Sequence, residues 1–301
     1  MEKNNPQLLT ILPGVKEREI LAPYTSFKIG GPARYFYSAT NNSDFVHAIR
    51  TARELRIPYF ILGNGSNILV ADKGFSGLVI KQDNHQIIYQ GTTVIAESGV
   101  KLQKLIRDTI SHGLTGLEYL MGIPGTIGGG VAGNVGTPRA GEWIDEHLVS
   151  VEILDAESHQ QTIPKSQCDF SYRFSRFKYT ETEIILSATF SLSQAPAAEI
   201  QQNVKMFLDK RSHQPIHLPC AGSIFKNPPG HKSWQLVDAI GFRGKQIGGA
   251  RVADEHSNFI VNTGKATAED VAILISYIKQ QVRDRFGIQL QEEIKYVGFE
   301  Q

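Results

Sequence analysis

A run of glycines constrains this sequence more than any other feature. From Gly122 to Gly136 the chain reads GIPGTIGGGVAGNVG, with glycine at nearly every other position and no collagen-like period. A turn alone needs fewer glycines than this. The structural interpretation is a tight loop followed by a closely packed helix start, whereas the functional interpretation is a backbone that lies against a flat cofactor. Both interpretations predict a close approach of the backbone to another group.

A second glycine-rich loop, GNGSN at residues 63–67, directly follows a predicted strand. Its consecutive N–H groups and the side chains of Ser66 and Asn67 could bind a pyrophosphate, although the loop taken alone is more typical of an ordinary turn. Neither glycine loop opens a helix directly after a strand within a βαβ unit of ~30 residues. The dinucleotide-binding pattern of Rossmann dehydrogenases is therefore disfavoured.

The composition is that of an ordinary globular protein and disfavours several classes of partner. The 301 residues include 31 Lys and Arg against 30 Asp and Glu, so net charge does not favour nucleic acid or an anionic membrane. Cys168 and Cys220 have neither metal-ligand nor CxxC spacing, which indicates no metal site and no structural disulfide. No stretch is apolar for about 18 residues, and residues 1–13 lack a targeting pattern, so we expect a cytoplasmic protein.

Hydrophobic periodicity predicts both helices and strands. Helices are expected at residues 44–56 with Ser43 as the N-cap, at 102–111, at 198–211, and from Thr267 to Gly287, where Thr267 and Asp270 match a capping box. Strands are expected at residues 59–62, 78–80, 86–97, 148–154 and 183–192. The length suggests two or three packed units.

Six sequence blocks occur in the order found in one enzyme family. They are TSFKIGGPARYF from Thr25, LGNGSNILVADKGFSGLVI from Leu62, GLEYLMGIPGTIGG from Gly116, YRFSRFK from Tyr172, CAGSIFKNP from Cys220 and LQEEIKYVG from Leu290. The blocks span almost the whole chain, and their order and spacing argue against a chance match. The chain therefore resembles the UDP-N-acetylenolpyruvoylglucosamine reductase (MurB) family.

The resemblance implies an α+β fold and a non-covalently bound FAD. The expected architecture is a two-subdomain FAD-binding fold of the vanillyl-alcohol-oxidase type followed by a C-terminal α/β substrate-binding domain. The expected boundaries are residues 1–81, with 294–301 returning to that subdomain, then 82–205 and 206–293. The residues expected to bind FAD lie in the two glycine loops and are Gly63, Asn64, Gly65, Ser66, Asn67, Gly122, Ile123, Pro124, Gly125, Gly128 and Gly129.

The resemblance also implies the reaction. In this family NADPH reduces the flavin, and hydride then passes to the enolpyruvyl group of UDP-N-acetylglucosamine enolpyruvate, giving UDP-N-acetylmuramate for peptidoglycan synthesis. Hydride addition to a double bond conjugated to a carboxylate builds negative charge, which a permanently charged arginine stabilises. The adjacent carbon then needs a proton, which a correctly placed hydroxyl can donate.

Three residues match the family's catalytic motifs. Arg173 of YRFS resembles the enolate-stabilising arginine, Ser223 of AGSIFKNP the proton donor, and Glu293 of LQEEI the partner carboxylate. Without the resemblance, a surface ion pair, a turn cap and an exposed strand position would explain them. Glu292 is the alternative to Glu293, and side-chain alternation favours Glu293 because it directly precedes the apolar Ile294.

Four further residues are candidates for binding the substrate: Tyr172, Lys226, Asn227 and His256. Exposed charge is an equally good explanation of Lys226 and Asn227, and a structural hydrogen bond is an equally good explanation of His256. The chain departs from the family pattern at Ala253 and within residues 133–141. The short interval between Arg173 and Ser223 indicates the shorter form of these enzymes, which lacks a tyrosine-bearing lid loop.

Two other classes of function stay open on the sequence alone. A FAD-dependent alcohol oxidase of the same cofactor-binding fold would need a long cap domain, for which the chain is too short. A nucleotide-binding protein without catalysis would leave the three catalytic candidates scattered in space. The expected partners are NADPH and a small UDP-sugar, without nucleic acid or membrane. A monomer is expected, but the sequence leaves the oligomeric state open.

Overall fold

The computed structural model describes residues 5–137, 141–180, 182–212, 214–215 and 217–299. The chain divides into two compact units, each assembled from separate stretches of sequence. Unit 1 comprises residues 1–15, 37–64 and 80–212, and unit 2 comprises residues 16–36, 65–79 and 213–301. The three-domain division expected from the family remains a prediction.

Helices are interspersed among the strands along the described residues. The α-helices are α1 (Pro6–Ile11), α2 (Asn42–Glu54), α3 (Leu102–Ser111), α4 (Ile127–Ala132), α5 (Ala197–Arg211), α6 (Ser233–Ala239) and α7 (Ala268–Phe286). The strands are β1 (Lys16–Ile20), β2 (Pro32–Ala39), β3 (Tyr59–Leu62), β4 (Ile68–Val70), β5 (Phe75–Gln82), β6 (Ile87–Gln90), β7 (Thr93–Glu97), β8 (Leu114–Thr115), β9 (Gly136–Thr137), β10 (Glu142–Trp143), β11 (Leu148–Leu154), β12 (Gln160–Pro164), β13 (Ile184–Ser191), β14 (Ser193–Gln194), β15 (Cys220–Ser223), β16 (Gln246–Ile247), β17 (Ala250–Val252), β18 (Phe259–Asn262) and β19 (Lys295–Val297).

Most of the predicted elements are confirmed. The predicted helix 102–111 and the predicted strands 59–62 and 148–154 coincide with α3, β3 and β11, and α5 begins one residue before its predicted start. The predicted strand region 86–97 is the antiparallel pair β6 and β7, whose turn contains Gly91 with φ of +63°. Alternating and helical hydrophobic patterns therefore located these elements correctly.

The predicted N-cap of α2 is wrong. Asn41, and not Ser43, is the N-cap residue, because its side chain accepts a hydrogen bond from the Asp44 N–H at 2.9 Å. Ser43 already lies in the first turn of the helix. Asparagine and serine are comparable caps, and Asn41 has the extended backbone that an N-cap requires. The helix ends at Glu54, two residues before the predicted end.

Unit 1 contains a five-stranded antiparallel sheet in the order β12-β11-β13-β7-β6. A row of buried residues crosses this sheet, because Val151 of β11 pairs with Ala188 of β13, and Ala188 pairs with Ala96 of β7. Helix α3 adds Leu105 and Ile106 to the same hydrophobic core. The glycine-rich helix α4 also belongs to this core through its buried apolar residues.

Unit 2 contains an antiparallel sheet in the order β15-β18-β17-β16 and the parallel pair β4 and β19. Helix α7 contributes much of its core through Val271, Leu274 and Ile278. The predicted capping box at Thr267 is confirmed, as is the end of α7 at Gly287, which has φ of +68°. One further sheet has the order β1-β2-β5-β3, and the chain passes between the units within β2 and β5.

Three glycines of unit 2 allow backbone to pack directly on backbone. A Cβ atom on Gly31 would overlap the carbonyl oxygen of Asp72, and one on Gly74 would overlap that of Pro32. A Cβ atom on Gly298 would overlap the carbonyl oxygen of Gly74. Glycine is therefore required at these positions by packing within the protein and not by a ligand.

Both cysteines are free. Burial raises the pKa of the Cys168 thiol to about 11 and also raises the pKa of Cys220, so neither thiol is activated as a nucleophile. Among the residues that the structure describes, no helix is both long and apolar enough to cross a membrane.

We expect Gly31→Ala to lower the free energy of unfolding by about 3 kcal/mol, because the new methyl group has no space beside the Asp72 carbonyl. Urea denaturation followed by circular dichroism measures the change. Gly133→Ala is the matched control, since the new methyl group would lie 3.4 Å from the Gly129 carbonyl oxygen, and it should change stability by less than about 1 kcal/mol. Equal losses in the two variants would contradict the packing explanation.

Candidate active site

Unit 2 brings Ser223 and Glu293 onto adjacent backbone segments. The Glu293 N–H donates to the Ile224 carbonyl at 2.7 Å, and the Lys226 N–H donates to the Gln291 carbonyl at 2.9 Å. Phe225 and Glu292 form an isolated antiparallel bridge between these two contacts. Two of the three predicted catalytic residues therefore belong to one hydrogen-bonded pair of segments, although they lie far apart in the sequence.

Asn258 fixes the segment that follows Ser223. Its side-chain oxygen accepts from the Phe225 N–H at 3.0 Å, and its side-chain nitrogen donates to the Phe225 carbonyl at 2.9 Å. The Asn258 carbonyl also accepts from the Ile224 N–H at 2.8 Å. Asn258 is only 5% exposed, so these bonds form in a water-poor environment where unsatisfied groups are costly.

His256 supports Asn258 within unit 2. Its Nδ1 atom accepts from the Asn258 N–H at 3.2 Å, and its ring packs edge-on against Phe259 with centroids 5.0 Å apart. The ring of Trp234 lies 6.2 Å away. His256 thus has a structural hydrogen bond, as the sequence allowed, and its substrate contact remains a prediction.

The two residues after Phe225 support the start of α6. The Asn227 side-chain oxygen accepts from the Ser233 N–H at 3.0 Å, and the Lys226 carbonyl accepts from the Ser233 hydroxyl at 2.5 Å. The Asn227 side chain is exposed and the Lys226 side chain is half-buried. Lys226 therefore places a positive charge three residues after Ser223.

The second half of the loop 63–67 belongs to unit 2 and contacts both catalytic segments. The Asn67 side chain donates to the Glu293 carbonyl at 3.1 Å, and the Asn67 carbonyl accepts from the Lys295 N–H at 3.0 Å. The Ser26 hydroxyl contacts the Gly65 carbonyl at 3.3 Å and the Cys220 carbonyl at 2.6 Å. The predicted FAD loop is therefore linked through Ser26 to Cys220, three residues before Ser223, and directly to the backbone of Glu293 and Lys295.

Arg173 lies in unit 1, in a turn with an uncommon backbone conformation. Its φ of +55° is in the left-handed region, which non-glycine residues rarely adopt and which often marks functional sites. Its guanidinium lies 5.5 Å from the Trp143 ring centroid and donates to the Gly136 carbonyl at 3.4 Å. Tyr172 packs edge-on against the same Trp143 ring at 5.7 Å. Arg173 is thus held in place by stacking and by backbone contacts.

Arg211 is a functional candidate that the sequence analysis missed. Burial and the nearby charge of Arg173 lower the pKa of Arg211, so the two guanidinium groups influence each other within unit 1. Its Nη2 atom donates to the Tyr119 carbonyl at 3.3 Å, and its Nε atom is buried without a hydrogen-bond partner among the described residues. At the end of a helix, a basic residue is equally typical of dipole compensation, so the sequence offered no distinctive signal.

The glycine run of unit 1 contains both closely packed and solvent-exposed residues. A Cβ atom on Gly128 would lie 3.0 Å from the Ser98 Cβ, so this buried glycine allows α4 to pack closely. Gly129 is exposed, and a Cβ atom there would contact only Thr126, at 3.6 Å. The remaining predicted residues of this run, Gly122, Ile123, Pro124 and Gly125, precede α4 and are partly or fully exposed. The structural interpretation therefore explains Gly128, while Gly129 and the preceding loop leave backbone accessible to a cofactor.

The loop 63–67 suits an anionic group. The N–H groups of Asn64 and Gly65 donate no hydrogen bond to any residue that the structure describes. In unit 1, a Cβ atom on Gly63 would lie 2.7 Å from the Thr126 hydroxyl, so glycine keeps this side of the loop close to α4. Unpaired N–H groups beside an accessible glycine backbone are the donor set that a diphosphate and a flat ring require. The residues therefore fit FAD.

The structure describes the first departure from the family pattern, at Ala253, and only part of the second, at residues 133–141. Ala253 is fully buried and packs with Phe259 and Val261, so an apolar methyl group suits its surroundings. Residues 138–140, within the altered stretch 133–141, lie outside the described residues.

Comparisons with known proteins point to one family for both units. The family model described as UDP-N-acetylenolpyruvoylglucosamine reductase, C-terminal domain, matches residues 214–297, and the model described as FAD binding domain matches residues 33–163. The UDP-N-acetylenolpyruvoylglucosamine reductase of Caldanaerobacter subterraneus subsp. tengcongensis is 40% identical over 282 residues, which cover 93% of this chain and 92% of that protein. The enzyme of the same name from Carboxydothermus hydrogenoformans is 39% identical and covers 94% of each chain.

A solved structure agrees with these relatives. The crystal structure of UDP-N-acetylenolpyruvylglucosamine reductase (MurB) from Thermus caldophilus matches with a TM-score of 0.80 and 31% identity. The match covers 93% of this chain and 98% of the other chain. The expected FAD-binding α+β fold with a MurB-type C-terminal domain is therefore confirmed.

We expect Asn258→Ala to lower the free energy of unfolding by roughly 3 kcal/mol, because the buried N–H and carbonyl of Phe225 both lose their partner. Urea denaturation measures this loss. Asn258→Asp keeps the acceptor for the Phe225 N–H but turns a carboxylate oxygen toward the buried Phe225 carbonyl, so we expect a loss at least as large. An Asn258→Ala variant as stable as the unaltered protein would rule out this role.

Proposed function

The chain belongs to the UDP-N-acetylenolpyruvoylglucosamine reductase family, and we propose on this basis that it reduces UDP-N-acetylglucosamine enolpyruvate to UDP-N-acetylmuramate with NADPH as the hydride donor. Within the chain, the main support for this proposal is the pairing of the Ser223 and Glu293 segments in unit 2. This pairing places a hydroxyl-bearing and a carboxyl-bearing residue on neighbouring backbone, beside the loop expected to hold FAD.

The cofactor supplies the reducing chemistry. FAD bound here and reduced by NADPH would supply the hydride for the methylene carbon of the enolpyruvyl group. The residues proposed to hold it are residues 63–67 of the first glycine loop together with residues 122–125, Gly128 and Gly129 of the second. Accessible backbone in both loops supports this assignment.

Arg173 is proposed to stabilise the negative charge that develops on the substrate. When hydride adds to the methylene carbon, the electron pair of the double bond moves toward the carbon bearing the carboxylate and into the carboxylate itself. A guanidinium held in a fixed orientation stabilises this charge without reorganisation. The stacking of Arg173 on Trp143 and its backbone contacts supply that fixed orientation.

Ser223 is proposed to donate the proton that completes the reaction. The carbon bearing the carboxylate takes this proton, so the substrate gains one hydride and one proton and the product carries two more hydrogens. Glu293 is proposed as the carboxylate partner that positions the proton donor and the substrate. The 2.7 Å bond from the Glu293 N–H to the Ile224 carbonyl keeps the two residues on adjacent segments.

The substrate is an anionic UDP-sugar, and its proposed contacts are polar. Lys226 supplies a positive charge near Ser223, while Asn227, His256 and Tyr172 are the other proposed contacts. Arg211 joins them as a second partly buried guanidinium near Arg173 in unit 1. Two neighbouring guanidinium groups repel each other unless an anion lies between or beside them, which supports binding of a substrate carboxylate or phosphate there.

The remaining assignments follow from the family and stay proposals. They are the shorter form without a tyrosine-bearing lid loop, the three-domain division, a monomer, and a cytoplasmic location without nucleic-acid or membrane partners. The limited length between Arg173 and Ser223 supports the shorter form.

Product analysis of the purified chain tests the overall reaction. The protein is supplied with FAD, NADPH and UDP-N-acetylglucosamine enolpyruvate, and we expect substrate-dependent NADPH oxidation and a product two hydrogens heavier than the substrate. Formation of hydrogen peroxide from an alcohol, without reduction of the enolpyruvyl group, would instead favour the oxidase alternative.

We expect Ser223→Ala to slow the oxidation of the reduced enzyme by substrate roughly 100- to 10 000-fold, because proton donation is lost. Reduction by NADPH should stay near its normal rate, since it does not use the Ser223 proton. Anaerobic stopped-flow absorbance measures the two half-reactions separately. Ser276→Ala, which removes an exposed hydroxyl from α7, should affect neither. An unchanged substrate half-reaction in Ser223→Ala would rule out its role as the proton donor.

We expect Arg173→Lys to lower kcat roughly 100-fold, because an ammonium cannot reproduce the planar, stacked guanidinium at this position. Arg176→Lys is the matched control from the same motif, since Arg176 is ion-paired with Glu183 and has a structural role. We expect the control to lower the melting temperature while kcat stays near its normal value. Equal kcat values for the two variants would contradict the assignment of Arg173.

A further inference from the structure

We propose that Lys279 is a positioning residue that acts through Glu292 to determine which of the two adjacent glutamates is presented on the catalytic side of the C-terminal segment. The proposal rests on the catalytic role proposed for Glu293. Lys279 lies in the middle of α7 and touches neither the proposed proton donor nor the glycine loops in the described contacts. The proposed mechanism does not use its ion pair with Glu292.

The C-terminal segment has one side that faces the core of unit 2. Leu290 is 1% exposed and Ile294 is 5% exposed, and both belong to the same hydrophobic cluster as the apolar face of α7. Tyr296 also packs against this cluster. The Glu292 side chain lies on this side as well, because its carboxylate contacts Lys279 of α7.

The ion pair is what allows a carboxylate on that side. The Lys279 ammonium contacts both oxygens of Glu292, at 2.8 and 3.0 Å, and the two side chains are only 27% and 23% exposed. A partly buried carboxylate without a counter-charge is unfavourable, whereas one that is paired is tolerated. Glu292 also helps to raise the pKa of Tyr296, together with the larger effect of burial, which agrees with a carboxylate on the core side.

Adjacent side chains of such a segment point to opposite sides, so the proposal directs Glu293 away from α7. Its N–H bonds to the Ile224 carbonyl, one residue after Ser223. A slip by one residue would exchange the sides of the two glutamates and would also expose Ile294 to solvent. The backbone hydrogen bonds of Glu293 and Lys295 and the burial of Leu290 and Ile294 oppose this slip, whereas an unpaired Glu292 carboxylate on the core side would favour it. Lys279 supplies that neutralisation from a helix whose ends are fixed by the Thr267 capping box and Gly287.

The decisive variant is Lys279→Met, which removes the charge and keeps an unbranched stem. We expect the substrate half-reaction to slow roughly 10- to 100-fold, because a catalytic group displaced by about 1 Å loses that much. The NADPH half-reaction should remain within about twofold of normal. A merely destabilising substitution would instead affect both half-reactions in parallel.

Two further variants keep the test independent of stability. Lys279→Arg restores the positive charge and should recover most of the rate. The double variant Lys279→Met with Glu292→Met replaces the pair by apolar side chains, which is often neutral or stabilising for a buried ion pair. It should also recover the rate, since Glu292 no longer needs a counter-charge. Arg283→Met is the matched control, because this arginine lies one helical turn further along α7 and is 59% exposed.

The outcomes separate this proposal from the function on which it rests. Glu293→Gln is measured in parallel, and a normal substrate half-reaction in that variant would overturn the catalytic role of Glu293 itself. If Glu293→Gln is slow while Lys279→Met is normal, only the positioning role of Lys279 is wrong. A slow substrate half-reaction in the double variant would also overturn the positioning role of Lys279. Glu292 is absent from that variant, so an unpaired Glu292 could not be the cause of the slow rate.

Discussion

The hydrogen bond from the Glu293 N–H to the Ile224 carbonyl is the contact on which the candidate site depends. It joins the C-terminal segment to the strand that ends in Ser223, and Asn258 holds the other side of that strand end through three hydrogen bonds. Asn67 then ties the glycine loop to the Glu293 carbonyl. Residues from four distant parts of the sequence thus become one rigid framework within unit 2. Such rigidity is what a reaction with a hydroxyl proton donor requires, because a weak acid is effective only when it is correctly placed.

The chemistry of the proposed reaction explains why these residue types recur together. Adding a hydride to a conjugated double bond generates negative charge, so a fixed cation lowers the barrier more than a mobile one. Arg173 has such fixation, since its backbone is in the left-handed region and its guanidinium stacks on Trp143. The proton donor, in contrast, must be neutral until it reacts, which suits a serine. Arg173 belongs to unit 1 and Ser223 belongs to unit 2.

Local sequence patterns predicted the elements but not the long-range contacts. The capping box at Thr267, the end of α7 at Gly287 and the bounds of α3 follow from residues close in sequence, and all are confirmed. Ile294 is buried as alternation predicted, while the preference for Glu293 over Glu292 stays a prediction. The N-cap of α2 was wrong because Asn41 and Ser43 are both good caps, and only backbone geometry selects between them. Arg211 and the Lys279–Glu292 pair depend on tertiary neighbours, which no local pattern reveals.

The most direct test of the central claim is the visible spectrum of the purified protein under anaerobic conditions. After FAD is supplied, NADPH should bleach the absorbance of bound flavin, and UDP-N-acetylglucosamine enolpyruvate should then restore it rapidly in the absence of oxygen. That result would establish that one chain carries out both half-reactions. Absence of bound flavin, or a colour that returns only when oxygen is admitted, would contradict the account.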